Sequence, residues 1–210
     1  MKVVLGLKAH SGWAALVVIG AAGSEFQVVA RRRIELVDSD SAWAKQPYHA
    51  AEGLDRHDAQ KLVKRGTEGA YRNAEQEMHA TIKSLREQQH EIVACVVLVP
   101  NPMPAWSVEE ILAVHFRMHQ AEGVMFPDAL ARAADSCGLN LLTIPEKRLS
   151  EHAERVLATS CNDLTNQVMR LGKTVGPPWG KDQKNAALAA LVGLKITSNS
   201  RLAQPRTRPD

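Results

Sequence analysis

Two histidines and a glutamate recur at helical spacing in the middle of the chain. His115, His119 and Glu122 stand at positions i, i+4 and i+7, which share one face of an α-helix. Two imidazoles and a carboxylate suit a single divalent metal ion and leave a position for water. The sequence does not carry the H-E-x-x-H pattern of zinc proteases. The alternative is an exposed polar helix face that includes Arg117 and Gln120.

A second set of candidate residues lies at the first predicted β-turn, where Lys8, His10 and Ser11 follow an apolar run. Lys8, Arg117 and Lys184 together offer three cations, which is the chemistry that holds a phosphate or another anion. We therefore predict an anion-binding cleft at this turn. The alternative is a solvated turn with a lysine at the end of a strand.

Other nucleophilic chemistry has little support. His10 next to Ser11 suggests a Ser–His hydrolase, but the chain lacks a G-x-S-x-G elbow. Cys95, Cys137 and Cys161 form no C-x-x-C pair, which disfavours a cysteine zinc site or a disulfide framework. Reduced thiols are typical of a cytoplasmic protein, and we predict that location.

Composition and charge bound the class of protein. The 210 residues allow one domain of ordinary size, and 45% hydrophobic with 23% charged residues is typical of a globular chain. The net charge of +3 is too small to indicate a nucleic-acid partner by itself. The longest apolar run, residues 13–19, is far shorter than the ~20 residues that span a bilayer, so we predict no membrane partner.

The elements that must position these residues follow from hydrophobic periodicity. Apolar and β-branched runs predict strands over residues 3–7, 13–19, 26–37, 92–99 and 139–144, and the unbroken run 92–99 indicates an interior strand. Three adjacent arginines, 31–33, indicate that the third strand lies at an exposed edge. Predicted helices cover residues 55–89, 107–122, 127–137, 150–170 in two pieces and 181–194, with a break at Gly123.

This order predicts a single α/β domain over residues 1–196, followed by a flexible basic tail at 197–210. A three-strand antiparallel meander followed by two parallel βα units gives a mixed five-stranded sheet with helices on both faces. The order resembles that of the ribonuclease H-like superfamily. Residues 5–14, LGLKAHSGWA, are similar to the first hairpin of its Holliday-junction resolvases, and residues 182–191, DQKNAALAAL, are similar to their last helix.

The resemblance also shows where this chain departs from the family. Nucleases of this superfamily hold two magnesium ions with carboxylates from strand one, strand four and the last helix. Here Lys8 stands in place of the strand-one aspartate, and strand four has no acid after Glu91. Asp182 matches one acid of the last helix, while Asn185 replaces the other. The resemblance therefore implies a degenerate site without two-metal catalysis.

The chain is also similar to a group of bacterial proteins, on motifs that imply no particular activity. The shared motifs are Lys8-x-His10-Ser11-Gly12-Trp13, Gln46-Pro47-Tyr48-His49, His115-x-Arg117-x-His119 and Pro178-Trp179 followed by Gln183-Lys184.

Three functional hypotheses remain open. The first is binding of a nucleotide or nucleic-acid backbone in the degenerate cleft, the second is a single-metal hydrolase or nuclease using the helical histidines, and the third is a structural or interaction protein. In this fold strand one ends opposite the start of the last helix. We therefore expect one cleft lined by Lys8, His10, Trp179, Asp182 and Lys184. If Lys8 and Asp182 meet there, Asp182 is more simply an ion-pair partner of Lys8 than a metal ligand.

Overall fold

The computed structural model describes residues 1–23 and 25–202, with side chains to residue 199. Its centre is one five-stranded sheet in the order β3-β2-β1-β4-β5. The first three strands are antiparallel, and β4 and β5 run parallel to β1. The strands are β1 Lys2–His10, β2 Trp13–Ala22, β3 Glu25–Glu35, β4 Glu91–Val99 and β5 Leu141–Pro145. This confirms the predicted mixed sheet, the interior position of β4 and the edge position of β3.

Seven α-helices cover the two faces of the sheet within the described residues. Helices α2 and α4 pack on one face, and α5, α6 and α7 pack on the other. Short 3₁₀ turns, Ala42–Lys45 and Glu146–Arg148, precede α1 and α5. The helices are α1 Pro47–Ala50, α2 Arg56–Glu87, α3 Val108–Leu112, α4 His115–Ser136, α5 Leu149–Leu157, α6 Cys161–Val175 and α7 Lys181–Leu202.

The alternation of side chains along β1 divides the core into two layers. Leu5 and Leu7 pack with α2 and α4, whereas Val4 packs with α5, α6 and α7. Gly6 lies against α7 so closely that a Cβ atom there would overlap the carbonyl oxygen of Ala186. The last helix therefore crosses β1 at backbone distance, which brings the start of α7 next to the end of β1.

The predicted break at Gly123 is wrong. The chain leaves helical geometry earlier, at Val114, and then α4 continues through Gly123 and Pro127 to Ser136. Pro127 gives up one hydrogen bond, to the carbonyl of Gly123, but it is buried with Phe126 inside the core. Burial of one face along the whole helix outweighs the missing bond.

The last helix also runs further than predicted. The sequence predicts a tail from residue 197, but α7 continues to Leu202. The hydroxyl groups of Thr197 and Ser198 donate to backbone carbonyls within the helix, at 2.9 Å to Gly193 O and 2.7 Å to Leu194 O, so these residues fit the helix despite their weak propensity. Residues 203–210 of the predicted tail lie outside the described residues. Among residues 1–23 and 25–202, no helix is both long enough and apolar enough to cross a bilayer.

Candidate functional site

The candidate residues of the first hairpin lie at the carboxyl edge of the sheet. Because β1, β4 and β5 are parallel, their carboxyl ends meet at one edge, and ligands of open α/β sheets bind outside such an edge. Lys8 and His10 stand at the end of β1, and Glu146 follows β5 directly. Asp182 lies in the first turn of α7.

Lys8 pairs with Glu146, whereas the sequence suggested Asp182 as its partner. Its Nζ lies 2.8 Å from Glu146 Oε2, with the two side chains 15% and 34% exposed, and donates to the carbonyl oxygen of Ala9 at 2.9 Å. The register explains this choice, since Lys8 is level with Leu98 in β4 and Leu98 with Ile144 in β5. The long side chain of Lys8 crosses β4 to reach the residue after β5.

Asp182 instead pairs with His10. Its Oδ1 lies 2.9 Å from His10 Nε2, and the imidazole stacks on Trp13 with ring centroids 4.7 Å apart. The guanidinium of Arg33 lies 4.0 Å from the centroid of the same indole. Each of the two acids at this edge therefore pairs with a side-chain nitrogen from β1. We name Lys8, His10, Glu146 and Asp182 the edge cluster.

Four residues that the sequence assigned to the cleft are not part of the edge cluster. Arg117 is on α4, across the sheet from α7, where its guanidinium lies 4.5 Å from the Trp106 ring centroid. Trp179 donates its indole N–H to the carbonyl oxygen of Val168 at 3.0 Å and fills the space above Gly172, so it packs against α6.

Lys184 lines a separate groove of about 170 Å³ between α5, α6 and α7, together with Asn185. Lys184 is two residues beyond Asp182, about half a helical turn, and therefore lies on a different side of α7. Ser11 is exposed at the tip of the β1–β2 turn, so of the predicted set only Lys8, His10 and Asp182 join the edge cluster.

The histidines of α4 meet a third histidine from α1. One ring nitrogen from each of His49, His115 and His119 lies within 4.8 Å of the other two, and the Nε2 atoms of His115 and His119 are 3.2 Å apart. His115 and His119 are exposed, and His49 is half-buried. We name these three residues the histidine cluster.

Glu122 supports this cluster from behind. Its carboxylate is 4% exposed and accepts three N–H bonds from α1: Oε2 is 2.8 Å from His49 Nδ1, and Oε1 is 3.1 Å from the backbone nitrogens of Tyr48 and His49. The pKa of the Tyr48 phenol is raised by its burial and by the charge of Glu122. Glu122 is therefore a partner of His49 in this structure, and not part of the set of converging ligand atoms.

Two of the three cysteines are poor candidates for a third site. All three are free thiols, and Cys95 is fully buried, which raises the pKa of its thiol to about 12. Cys137, with a pKa also raised by burial, lies 3.8 Å from a ring nitrogen of His79. A buried, protonated thiol is a poor nucleophile.

Comparisons with known proteins bear on the fold. The sequence matches no protein-family model, and no curated protein matches it. Among solved structures, Thermus thermophilus RuvC superposes with a TM-score of 0.51 at 13% identity, covering 94% of this chain and 96% of that one. The T. thermophilus RuvC structure in complex with Holliday junction substrate gives a TM-score of 0.53 at 12% identity, covering 95% and 97%.

The chain has a ribonuclease H-like fold. Within this fold, the edge cluster lies at the end of strand one and the start of the last helix. One of its members, Glu146, was missed from the sequence, as were the pairing of His10 with Asp182 and the place of His49 in the histidine cluster. The signals were available: Glu146 follows the last parallel strand at the carboxyl edge, and His49 closes the motif Gln46-Pro47-Tyr48-His49.

Proposed function

We propose that the protein binds the phosphate backbone of a nucleic acid at the carboxyl edge of β1, without two-metal cleavage. The observation that carries the proposal is that the Lys8 ammonium and the His10 imidazole occupy an edge where metal-binding carboxylates would be needed for two-metal cleavage. Lys8 and His10 stand opposite Glu146 and Asp182, so each acid has a partner within the protein. A lysine in a site of this kind attracts phosphate and repels magnesium.

Lys8 retains the capacity to bind a further anion. Its ammonium has three N–H groups, of which one faces Glu146 and one the carbonyl of Ala9. The side chain is 15% exposed, so it is not sealed from solvent. A phosphate oxygen is the natural acceptor for the remaining N–H group.

Exposed lysines surround the edge cluster. Lys45 lies against the β1–β2 turn, with its Cγ 2.8 Å from the position of a Cβ on Gly12, and Lys147 and Lys181 are chain neighbours of Glu146 and Asp182. All three are exposed, and no ion pair involves them in the part of the chain that the structure describes. Together with Lys8, these three lysines outnumber the two carboxylates of the edge cluster, while Lys45 also lines a groove with Glu35, Asp38 and Glu77.

The fold is consistent with such a ligand, because one of the similar structures is a complex with a Holliday junction substrate. At 12% identity this likeness concerns the fold, and the choice of nucleic acid as ligand rests on the charges of the edge.

The test is a binding titration with fluorescently labelled four-way DNA junction, duplex and single strand, at several salt concentrations and with EDTA present. We expect binding that weakens linearly in log–log form as salt rises, since the contacts release counterions from phosphate. Replacing Lys45, Lys147 and Lys181 with Gln should reduce the salt slope by up to about 3, at roughly 0.9 per phosphate contact.

The matched control replaces three exposed lysines of α2, Lys61, Lys64 and Lys83, with Gln and so changes the net charge equally. Equal losses in the two triple variants would mean that binding follows net charge and not this edge. Wild-type protein that binds none of the three DNA forms would overturn the proposal in favour of an interaction protein.

A further inference from the structure

We propose that His49, His115 and His119 bind one divalent transition metal ion, Zn²⁺ in the first instance, with a coordination position left open to solvent. The site uses none of the residues of the edge cluster. It also lies with α4, on the other face of the sheet from α7. The inference therefore stands apart from the proposed nucleic-acid binding, and either can fail without the other.

The spacing of the nitrogens fits a tetrahedral ion. Zinc–imidazole bonds of 2.0–2.1 Å place two ligand nitrogens about 3.3 Å apart, and the Nε2 atoms of His115 and His119 are 3.2 Å apart. The whole set spans at most 4.8 Å, so small side-chain rotations bring the third nitrogen to the same distance.

His49 presents a ring nitrogen that has no partner within the protein. Its Nδ1 lies 2.8 Å from the Glu122 carboxylate, which accepts the proton of that nitrogen. The other nitrogen, Nε2, is then a bare lone pair, and it is buried without a hydrogen-bond partner among the described residues. Histidines that bind metals usually donate one ring N–H to a carboxylate and coordinate the metal with the other ring nitrogen.

The third ligand separates this cluster from an ordinary polar helix face. His115 and His119, one turn apart, would meet on any helix. His49 comes from a different element, and three N–H bonds to buried Glu122 fix its position. The buried carboxylate, 4% exposed, is compensated by these three donors and holds the His49 ring in one orientation.

The ligand types favour zinc and an open site. Three imidazoles without a carboxylate or thiolate suit zinc better than magnesium or calcium, which prefer oxygen. Three protein ligands are typical of zinc sites that keep a position for water or substrate. The exposure of His115 and His119 gives solvent access to that position.

The experiment is calorimetric titration of ZnCl₂ into the full chain, purified without a histidine tag and stripped of metal with a chelator. We expect one equivalent to bind, and binding at least 100-fold weaker in His49→Ala and in His119→Ala. The matched control is His57→Ala, an exposed histidine on α2 outside the cluster, which should bind as wild type does. Circular dichroism of the metal-free variants establishes that they are folded.

Cobalt substitution adds a readout of geometry. Co²⁺ bound to three histidines and water should give the intense visible bands of tetrahedral cobalt, and His49→Ala should abolish them. Unchanged affinity in His49→Ala would show that the pair on α4 binds alone, and would overturn the three-histidine site. Wild type without stoichiometric binding would overturn it as well, leaving the Glu122–His49 pair as a structural tie between α1 and α4.

Discussion

Glu122 was predicted as a metal ligand, but in the structure it is a hydrogen-bond partner of His49 and Tyr48. Its spacing from His115 and His119 places it on the same helix face, as predicted, but further into the core. There the carboxylate meets the amides of Tyr48 and His49 before it can reach a metal. Side-chain type and periodicity gave the right face, and burial by a distant segment decided the function.

Glu122→Gln should reverse the tautomer of His49. The new amide keeps one oxygen for the backbone nitrogens and turns an N–H₂ group toward His49 Nδ1, which must then accept. The imidazole proton moves to Nε2, the nitrogen that faces the cluster. We expect zinc affinity to fall 10- to 100-fold, the usual effect of losing such a partner.

The measurement is the ¹⁵N spectrum of the histidine rings in metal-free protein, which distinguishes protonated Nδ1 from protonated Nε2. Gln120→Glu, two residues away on α4, is a control for substitution on this helix. An unchanged His49 tautomer in Glu122→Gln would contradict the orienting role of the carboxylate.

At the scale of elements, the close approach of α7 to β1 sets the edge cluster. Gly6 allows the helix backbone to touch the strand, and Ala186, Ala187 and Ala190 continue the contact as small, fully buried residues. His10 is four residues beyond Gly6 and Asp182 four residues before Ala186. The 2.9 Å bond between His10 and Asp182 therefore depends on a helix that lies at backbone distance.

Gly6→Ala should destabilise the protein and release this contact. The added Cβ meets the carbonyl of Ala186, which belongs to the backbone and cannot rotate away. Overpacking of this kind costs roughly 3 kcal/mol, which we expect as a lower free energy of unfolding in urea. If Gly6→Ala is insoluble, the same substitution in a stabilised background gives the comparison.

Gly69→Ala is the matched control. Gly69 lies inside α2, and a Cβ there would come no nearer than 3.8 Å to Arg72 Nη2. Alanine in a helix interior is more favourable than glycine by about 0.5–1 kcal/mol, so this variant should be slightly more stable. Equal changes in the two variants would contradict the close contact of α7 with β1.

At the scale of the whole molecule, the sequence predicted the sheet and left the pairing of charges open. Apolar runs predicted the five strands, and the order of elements, with its resemblance to the ribonuclease H-like superfamily, predicted how they assemble. The arginines of β3 show the limit. The edge position was right, but Arg31 donates to the carbonyls of Gly176 and Pro178 at 2.7 Å, and Arg32 to Glu77 at 2.9 Å. Such partners lie 45 or more residues away along the chain, and local patterns carry no information about them.

The same limit applies to the two clusters. Lys8, His10 and Asp182 were expected together because the topology brings strand one to the last helix. His49 lies on the short helix α1, which packs against α2 and α4, and Glu146 lies in the 3₁₀ turn between β5 and α5. Those two residues decide what each cluster can bind, so chemistry was harder to predict than fold.

We predict that the protein has no magnesium-dependent nuclease activity, and that Lys8→Asp alone does not create it. Two-metal cleavage needs ions about 4 Å apart, flanked by several carboxylates. Lys8→Asp removes the positive charge and leaves Glu146 without its partner, so one magnesium ion could gain two acids. In β4, the residue level with position 8 is Leu98, which cannot bind a metal. Asp182 remains bound to His10.

A second ion would therefore find only the neutral amide of Asn185 and the Asp182 carboxylate, which is already bound to His10. Magnesium also loses its bound water reluctantly. The assay is cleavage of a four-way DNA junction and of an RNA–DNA hybrid, with Mg²⁺ or Mn²⁺, by wild type and by Lys8→Asp. Calorimetry on the same samples should show a single weak Mg²⁺ site in Lys8→Asp and none in wild type at this edge. Chelator-sensitive cleavage by wild type that disappears in Asp182→Asn would show instead that the edge cluster opens and releases its acids to metal, because only a free Asp182 carboxylate can serve as a ligand there.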